Sequence, residues 1–266
     1  MRNWPGSASG WLSAAVPSAE HHRLEILGCR FDPLDLGQVV ERSLEWCRAP
    51  RRARQIVTMN VAGLELLRHD AAMRRACDEA DLLVADGVPL VWASRLLRRP
   101  LPARVAGVDL MQALLAAGAR EKLRVYFLGA REEVVQEVVR RVGERFPGLV
   151  VAGARNGYFA ESEHDAIVRT IREARPDLLF VGMPSPFKER FAYEHAQALD
   201  VPVMLGVGGS FDVLAGRIRR APRWMQKIGM EWGWRLAMEP RKLWRRYLVS
   251  NSAFMRRLLV AIVTGR

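Results

Sequence analysis

Asp86 is a candidate general base because of the residues on either side of it. It follows the apolar run Leu82–Ala85, which predicts a strand, and it precedes Gly87. A carboxylate at the end of a strand can take a proton from a hydroxyl group, which is the role of a general base. The same carboxylate can instead cap the helix that is predicted to begin near Pro89. The sequence alone leaves both roles open.

A glycine-rich segment at residues 206–210 also follows a predicted strand and opens a helical stretch. Its members Gly206, Gly208, Gly209 and Ser210 offer backbone N–H groups that, with the helix dipole, can hold a diphosphate. The segment lacks both the Gly-Lys-Ser/Thr of a P-loop and the full G-x-G-x-x-G spacing, so neither a kinase nor a dehydrogenase is favoured. The alternative is a tight strand-to-helix turn that needs glycine for its backbone alone.

Other polar residues near predicted strand ends can contact a ligand. Thr58 and Asn60 follow the strand predicted at 55–59 and can hydrogen-bond a sugar or a uracil, although an Asx turn or a helix cap explains Asn60 equally well. Tyr158 can stack on a ring, and core packing is the alternative for its side chain. These residues add to Asp86 and the glycine segment only if the fold brings them to one edge.

The elements that must position these residues alternate along residues 24–214. Strands are predicted at 24–29, 55–59, 82–85, 125–128, 149–152, 178–181 and 203–207. Amphipathic helices are predicted at 36–46, 73–79, 90–97, 110–120, 132–145, 164–174 and 187–199. This alternation predicts an α/β fold, a Rossmann-like and mostly parallel sheet flanked by helices. Ligands of such sheets bind at the carboxyl ends of the strands, where the candidate residues lie.

Positive charge is concentrated at the C-terminal end. The 266 residues contain 41 Lys and Arg against 29 Asp and Glu, for a formal net charge of +12. Residues 217–257 hold twelve of the basic residues and two acidic ones, a net charge of +10. The same stretch holds four of the eight tryptophans. Arginine with tryptophan on an amphipathic helix is typical of a segment that lies on an anionic membrane surface.

Two other interpretations of this basic segment remain open. One is an ordinary terminal helix that packs on the domain with a solvated basic face, and the other is nucleic-acid binding, which no recognised motif supports. Pro222 and Pro240 predict two helices hinged near Glu239–Pro240. We therefore expect a poorly ordered N-terminal extension (1–22), a Rossmann-like domain (23–216) and a basic helical C-terminal appendage (217–266). No apolar run approaches the roughly 20 residues that span a bilayer.

The composition excludes several other kinds of site. The three cysteines are an odd number with no Cys-x-x-Cys pair, so neither a disulfide framework nor a zinc site is indicated. No Asp-x-Asp pair is present to hold a divalent cation on a diphosphate. Lys, Arg or backbone dipoles must then stabilise a leaving diphosphate. The arginine-rich segment Arg217 to Arg223, just beyond the glycine segment, can supply them.

An ordered series of motifs resembles one family, the WecG/TagA/CpsF glycosyltransferases, or glycosyltransferase family 26. The similarity extends from about residue 24 to residue 247. The residues that carry it are Thr58-x-Asn60, Asp86-Gly87, Arg104-Val105-Ala106-Gly107-Val108-Asp109, Phe127-Leu128-Gly129, Gly157-Tyr158-Phe159, Gly182-Met183-Pro184-Ser185-Pro186, the run from Gly206 to Asp212, Arg220-Ala221-Pro222, Trp224-Met225-Gln226 and Glu239-Pro240.

The resemblance implies an inverting, metal-independent transferase without a cofactor. It would move a sugar (glucose, N-acetylmannosamine or its uronic acid) from a UDP-sugar onto a polyprenyl-diphosphate-linked saccharide. The work would be done by a peripheral protein at the cytoplasmic face of the inner membrane, in the synthesis of cell-surface polysaccharide or exopolysaccharide. The resemblance does not identify the donor, the acceptor hydroxyl or the oligomeric state, and a homo-oligomer stays open.

Residue by residue, the resemblance implies that Asp86 is the base and that Thr58 and Asn60 contact substrate. The family's appendage, which would touch the membrane and complete the site with arginines, falls on residues 217–266. The substrate-binding residues expected are Thr58, Asn60, Arg104, Asp109, Tyr158, Lys188, Gly206, Gly208, Gly209, Ser210, Asp212, Arg217, Arg220 and Arg223.

Lys188 departs from the family pattern, because it stands where members often carry glutamine. A lysine at this position suits a phosphate or an acidic sugar. A second hypothesis, from another class, is a non-catalytic basic module that binds polyanions. Such a module would bind nucleic acid in a salt-sensitive way and would turn over no sugar.

Overall fold

The computed structural model describes residues 22–264, apart from the side chains at positions 223, 227, 242, 243 and 246. The expected N-terminal extension therefore lies outside the described residues, except for His22, and so does the side chain of Arg223. The strands within the described range are β1 (Leu24–Ile26), β2 (Cys29–Phe31), β3 (Gln55–Met59), β4 (Leu82–Ala85), β5 (Arg124–Gly129), β6 (Val150–Arg155), β7 (Leu178–Gly182) and β8 (Val203–Gly206).

Helices connect nearly all of these strands. They are α1 (Leu36–Arg48), α2 (Val61–Leu66), α3 (Ala71–Asp78), α4 (Val88–Leu96), α5 (Gly107–Arg120), α6 (Glu132–Arg145), α7 (His164–Ala174), α8 (Phe187–Glu194), α9 (Ala196–Leu199), α10 (Ser210–Leu214), α11 (Arg223–Lys227), α12 (Glu231–Met238) and α13 (Pro240–Thr264). A 3-10 turn, Glu161–Glu163, precedes α7. The predicted bounds of α6 and α7 are confirmed. The helix predicted at 187–199 is interrupted at His195, and α2 was not predicted.

The central sheet has six strands in the order β4-β3-β8-β7-β5-β6, and every neighbouring pair is parallel. These are the six strands predicted beyond residue 50. The α/β, Rossmann-like fold class is thereby confirmed. Because all six strands run in the same direction, their carboxyl ends share one edge of the sheet.

Side chains that alternate along the strands pack into cores on both faces of the sheet. On one face Phe127 and Phe180 stack with ring centroids 5.8 Å apart, and Phe211 of α10 meets Phe127 edge-on. On the other face Leu128 and Leu179 join the buried residues of α7 and α8. Burial on both faces explains why the strands read as continuous apolar runs.

The strand predicted at 24–29 is wrong as a single strand. The chain instead forms the antiparallel hairpin β1–β2, which lies outside the main sheet. Leu27 and Gly28 have φ values of 51° and 79°, so the backbone reverses between the two short strands. The glycine tolerates this left-handed conformation, and the turn interrupts a run that looks continuous by hydropathy.

The prediction of two helices in the appendage is also wrong, because the structure has three. The segment before residue 240 divides into α11 and α12 at Gly229, whose φ is 72°. The predicted break near Glu239–Pro240 is confirmed, since α12 ends at Met238 and α13 begins at Pro240. No helix within residues 22–264 has the length and apolar character needed to span a bilayer.

Helix α13 packs on the domain through one stripe and exposes another. Phe254, Leu258 and Ala261 are buried, with Phe254 and Leu258 in the core beneath the sheet face that includes Leu83. Arg257 pairs with Glu65 of α2 beside them. A different apolar set is exposed on the same helix: Trp244, Leu248, Val249, Met255, Leu259, Val260, Ile262 and Val263. Helix α13 therefore has one apolar stripe in contact with the domain and a second apolar set exposed.

Candidate active site

The edge formed by the carboxyl ends of the strands brings Thr58 and Asp86 together. Strands β3 and β4 are paired in register, Thr58 with Val84 and Met59 with Ala85. The backbone N–H of Asp86 continues the ladder by donating to the carbonyl of Met59 over 2.7 Å. The candidate base is therefore anchored by the sheet itself, one residue beyond the last strand pair.

Asp86 has no role in capping the helix that follows. The N-cap of α4 is Gly87, with no side-chain capping hydrogen bond. The Oδ2 atom of Asp86 instead accepts a hydrogen bond of 3.3 Å from the backbone N–H of Gly107, at the start of α5. The capping alternative is thus excluded, and the carboxylate faces the N-terminal end of a different helix.

The surroundings of Asp86 raise the pKa of its carboxyl group. Burial raises its pKa from 3.8 to about 6, although the hydrogen bond from Gly107 acts in the opposite direction. The charges of Glu231 and Asp109 raise the pKa further, and Arg104 lowers it. A carboxylate with a pKa near 6 is ionised at neutral pH and is a stronger base than an exposed aspartate.

Gly107 allows the three groups of this corner to meet. A Cβ atom at position 107 would lie 3.0 Å from Oγ1 of Thr58 and 3.8 Å from Oδ2 of Asp86. Thr58 is buried in β3, so a side chain at position 107 would crowd its hydroxyl group, whereas the backbone of a glycine fits there. Gly107 is a site residue that sequence reasoning missed, although it lies inside the Arg104-to-Asp109 motif.

Asn60 has the capping role that the sequence left open. Its Oδ1 accepts a hydrogen bond of 2.9 Å from the backbone N–H of Gly63 and caps α2. This bond fixes the side chain beside the end of β3 and uses the oxygen but not the amide nitrogen. The cap is therefore compatible with a ligand contact through the nitrogen.

The expected ligands Arg104, Asp109 and Arg220 are joined in one ion-pair network. Arg220 forms a bidentate pair with Asp109, with one contact of 2.6 Å, and reaches Glu231 at 3.2 Å. Arg104 contacts Oε2 of the same Glu231 at 2.8 Å and Oε1 of Gln226 at 3.3 Å. Because Gln226 and Glu231 belong to α11 and α12, this network attaches the appendage to the domain directly beside Asp86.

The charge on Arg220 is held by this network. Burial alone would lower its pKa, but the hydrogen bonds and charges of Asp109 and Glu231 raise it above its usual value. Arg217, another of the expected diphosphate ligands, lies 3.5 Å from Glu133. Both arginines thus have carboxylate partners already. Glu231 was not identified as a site residue from the sequence, because nothing local marks a residue that pairs 127 positions away. Gln226 was noted only as part of the Trp224-Met225-Gln226 motif.

The glycine segment forms a closed turn between β8 and α10. Gly208 has a φ of 52°, and the hydroxyl of Ser210 donates to the carbonyl of Val207 over 2.7 Å. The turn therefore needs glycine for its backbone, as the alternative interpretation holds. Two cationic side chains also approach it, one at Gly209 and one at Gly206.

Arg235 of α12 is the first of these cations. A Cβ atom at Gly209 would lie 2.9 Å from an Nη2 atom of Arg235, so the guanidinium rests against the turn. Among the described side chains none forms an ion pair with Arg235, in contrast to Arg217 and Arg220. Sequence reasoning missed this residue, and its only signal was membership of the basic segment.

Lys188 of α8 approaches from the other side. A Cβ atom at Gly206 would lie 3.0 Å from its Cδ and 3.3 Å from its Nζ. The side chain is nearly buried and pairs with Glu189, which also accepts a hydrogen bond of 2.8 Å from Ser185. The ammonium of Lys188 thus lies beneath the glycine turn, where the sequence predicted a phosphate or acidic-sugar contact.

A cleft of about 260 Å³ opens next to this turn. Tyr158 is 72% exposed there, so the core-packing alternative for its ring is excluded. Asp212 and Arg217 line the same cleft, as does Glu239 of the appendage. The structure therefore groups the expected ligands at two places along one edge, with Thr58, Asp86 and Arg104 at one end and Tyr158, Asp212 and Arg217 at the other.

Comparison with known proteins identifies the family of the chain. The family model described as "Glycosyl transferase WecG/TagA/CpsF family" matches residues 24–266. The N-acetylglucosaminyldiphosphoundecaprenol N-acetyl-beta-D-mannosaminyltransferase of Staphylococcus aureus (strain MW2) is 32% identical over 240 residues, which are 90% of this chain and 93% of that protein.

Two Bacillus proteins of the same name are similar over a shorter segment. The protein of Bacillus subtilis (strain 168) is 33% identical and that of Bacillus spizizenii is 37% identical, each over 169 residues that cover 64% of this chain. The match spans 65% of the length of these Bacillus relatives. On the extent of the family match, the chain belongs to the WecG/TagA/CpsF family of glycosyltransferases.

Proposed function

We propose that the chain is an inverting, metal-independent glycosyltransferase that moves a sugar from a UDP-sugar onto a polyprenyl-diphosphate-linked saccharide. The observation that carries the proposal is Asp86, a carboxylate with a pKa of about 6 at the carboxyl edge of the sheet, held by Gly107 beside Thr58. The relatives named above act on a diphosphoundecaprenol-linked sugar by their names, which supports this class of acceptor.

In the proposed reaction, ionised Asp86 accepts the proton of the acceptor hydroxyl. The hydroxyl oxygen then forms a bond to the anomeric carbon of the donor while the bond from that carbon to the UDP oxygen breaks. Attack from the face opposite to UDP inverts the anomeric configuration. The partial burial of Asp86 contributes by raising its basicity, and Gly107 contributes by orienting Oδ2.

The leaving diphosphate would be stabilised where cations approach the glycine turn. Arg235 lies close to Gly209 and Lys188 lies close to Gly206, so two positive side chains approach the same turn. Such preorganised charges stabilise the negative charge that develops on UDP as it departs. Arg235 takes this role more readily than Arg220 or Lys188, because Arg220 is already paired with Asp109 and Lys188 with Glu189.

The nucleotide would extend from the glycine turn into the adjacent cleft. Tyr158 offers an exposed ring for stacking on uracil, and Asp212 offers a carboxylate for ribose hydroxyls. The donor sugar is then directed along the edge toward Asp86. N-acetylmannosamine is the first donor to test, given the names of the relatives, with glucose and the uronic acid as the alternatives.

The appendage would place this edge against the membrane that holds the acceptor. Its helix α13 exposes a strip of apolar side chains, among them Leu248, Leu259 and Val263, on a segment of high positive charge. Cations that meet anionic head groups and apolar groups that enter the boundary are the two requirements of a peripheral membrane helix. The proposed location is the cytoplasmic face of the inner membrane.

The decisive test is UDP release from a panel of UDP-sugars with a short-chain prenyl-diphosphate sugar acceptor, in the presence of EDTA. We expect turnover with one donor, loss of turnover in Asp86→Asn, and a kcat lowered about tenfold or more in Arg235→Ala. Arg241→Ala, which changes an exposed arginine of the same appendage, is the matched control and should leave kcat and the KM for the donor unchanged.

Two results would contradict the proposal. Turnover that survives in Asp86→Asn would remove the base from the mechanism. Absence of turnover with every donor, together with salt-sensitive binding of nucleic acid, would favour the polyanion-binding module instead. Truncation before residue 217 is a less informative test, because it also uncovers the core that Phe254 and Leu258 cover.

A further inference from the structure

Helix α4 carries an exposed apolar stripe on the domain itself, outside the appendage. Val88, Trp92 and Leu96 follow one another at intervals of four residues, so they share one face of the helix. Trp92 is 50% exposed and Leu96 is 60% exposed. The opposite side of the helix is buried through Leu90 and Ala93, so the orientation of the stripe is set by packing.

Positive charge lies at the C-terminal end of this stripe. Arg95, Arg98 and Arg99 are exposed near its C-terminal end. Residues 87–108 contain four arginines and no acidic residue. The guanidinium of Arg99 donates to the carbonyl of Glu25 over 2.8 Å, which holds it beside the β1–β2 hairpin. The solvated face of an ordinary helix carries both positive and negative side chains. The exposed face of α4 carries only positive ones, together with a tryptophan and a leucine.

The stripe continues into the appendage. A Cβ atom at Gly229, in the turn between α11 and α12, would lie 3.0 Å from Cβ of Val88. The flanking residues Ile228 and Met230 are 49% and 38% exposed. The apolar surface therefore extends from the α11–α12 turn along α4 to Leu96. Over the eight residue steps from Val88 to Leu96 the helix rises about 12 Å.

We propose that Trp92 and Leu96, with Arg95, Arg98 and Arg99 around them, form a second membrane contact that binds an anionic bilayer. We refer to these five residues as the α4 surface. The choice of a bilayer as the partner rests on the proposed function. The residues themselves form a contact on the domain that is separate from α13. Tryptophan and leucine enter the boundary region of a bilayer, and arginines meet anionic head groups.

A second contact would fix the depth of the active site. One amphipathic helix leaves a protein free to tilt on the membrane, whereas two separate contacts restrict that tilt. Helix α4 begins two residues after Asp86, so a bilayer bound to the α4 surface holds the base at a set distance from the head groups. The diphosphate of a polyprenyl-linked acceptor lies at the level of the head groups.

The test is sedimentation of the full chain with vesicles of neutral phosphatidylcholine and with vesicles that contain phosphatidylglycerol. Trp92→Ser/Leu96→Ser should bind anionic vesicles about tenfold more weakly. Arg95→Glu/Arg98→Glu should lose affinity for anionic vesicles and not for neutral ones, by about fivefold or more per arginine. Val150→Ser, which alters an exposed apolar residue at the start of β6, is the matched control and should bind normally.

Unchanged binding by both double variants, with thermal midpoints equal to that of the parent chain, would overturn the inference. Loss of self-association in Trp92→Ser/Leu96→Ser without loss of vesicle binding would also overturn it, by assigning the surface to a second copy of the chain. The measurement uses no donor and no acceptor. Its outcome is therefore independent of UDP release, and either proposal can fail alone.

Discussion

Replacing Asp86 by asparagine is expected to inactivate the protein and at the same time to stabilise it. Burial raises the pKa of Asp86 from 3.8 to about 6, so folding favours the protonated carboxyl. At pH 8 the folded protein must hold this group ionised, at a cost of about 3 kcal/mol since one pKa unit equals about 1.4 kcal/mol. Asparagine is neutral and keeps an oxygen that can accept the N–H of Gly107.

The stability difference should depend on pH in a defined direction. The folded pKa lies above the unfolded one, so the ionised carboxylate destabilises the fold fully above pH about 6. The penalty shrinks as the pH falls toward 3.8, where the carboxyl is protonated in both states. Asp86→Asn should therefore melt about 5 °C higher than the parent chain at pH 8, with a much smaller difference near pH 4.

The assay is thermal unfolding followed by circular dichroism at several pH values, paired with kcat/KM for UDP release. The parent kcat/KM should fall about tenfold per pH unit below the pKa of about 6, because the base becomes protonated. Glu173→Gln, at an exposed position of α7, is the control and should shift stability by less than about 0.5 kcal/mol. An inactive Asp86→Asn that is no more stable at pH 8 than the parent would refute the argument from burial.

Three further substitutions test the supports of the site. Gly107→Ala should lower kcat/KM about tenfold or more, because the added Cβ atom would meet Oγ1 of Thr58. Gly143→Ala is the control: its Cβ atom would have nothing within 4 Å, and the substitution should raise the free energy of unfolding by about 0.5–1 kcal/mol. Equal effects of the two substitutions on kcat/KM would contradict this reasoning. Arg220→Ala removes the bidentate partner of Asp109 and leaves Arg104 to pair with both Asp109 and Glu231, and it should cost about 2 kcal/mol. Limited proteolysis of the appendage should become faster, and an unchanged cleavage rate would count against the network. Phe254→Ala should cost about 3 kcal/mol in urea unfolding, and a loss below 1 kcal/mol would show that α13 is not anchored there.

The central sheet could be predicted because its strands are short apolar runs bounded by polar and glycine-rich ends. All six strands were identified, and the two candidate residues Thr58 and Asp86 do meet at one edge. The hairpin β1–β2 and the break at Gly229 could not be predicted, because each depends on a positive φ at one or two residues. Hydropathy does not register such a reversal, although glycine permits it.

The sequence by itself determined the fold class, the family, the position of the candidate base and the concentration of positive charge near the C-terminus. These properties follow from local composition, periodicity and motifs. Only the tertiary structure decided which arginines are already paired, that Arg235 lies at Gly209, and which stripe of α13 is buried. The reason is distance along the chain: Arg104 meets Glu231 across 127 positions, and the strand order β4-β3-β8-β7-β5-β6 places neighbours in space that are remote in sequence. Charges and apolar faces are properties of residues, whereas their partners are properties of the fold.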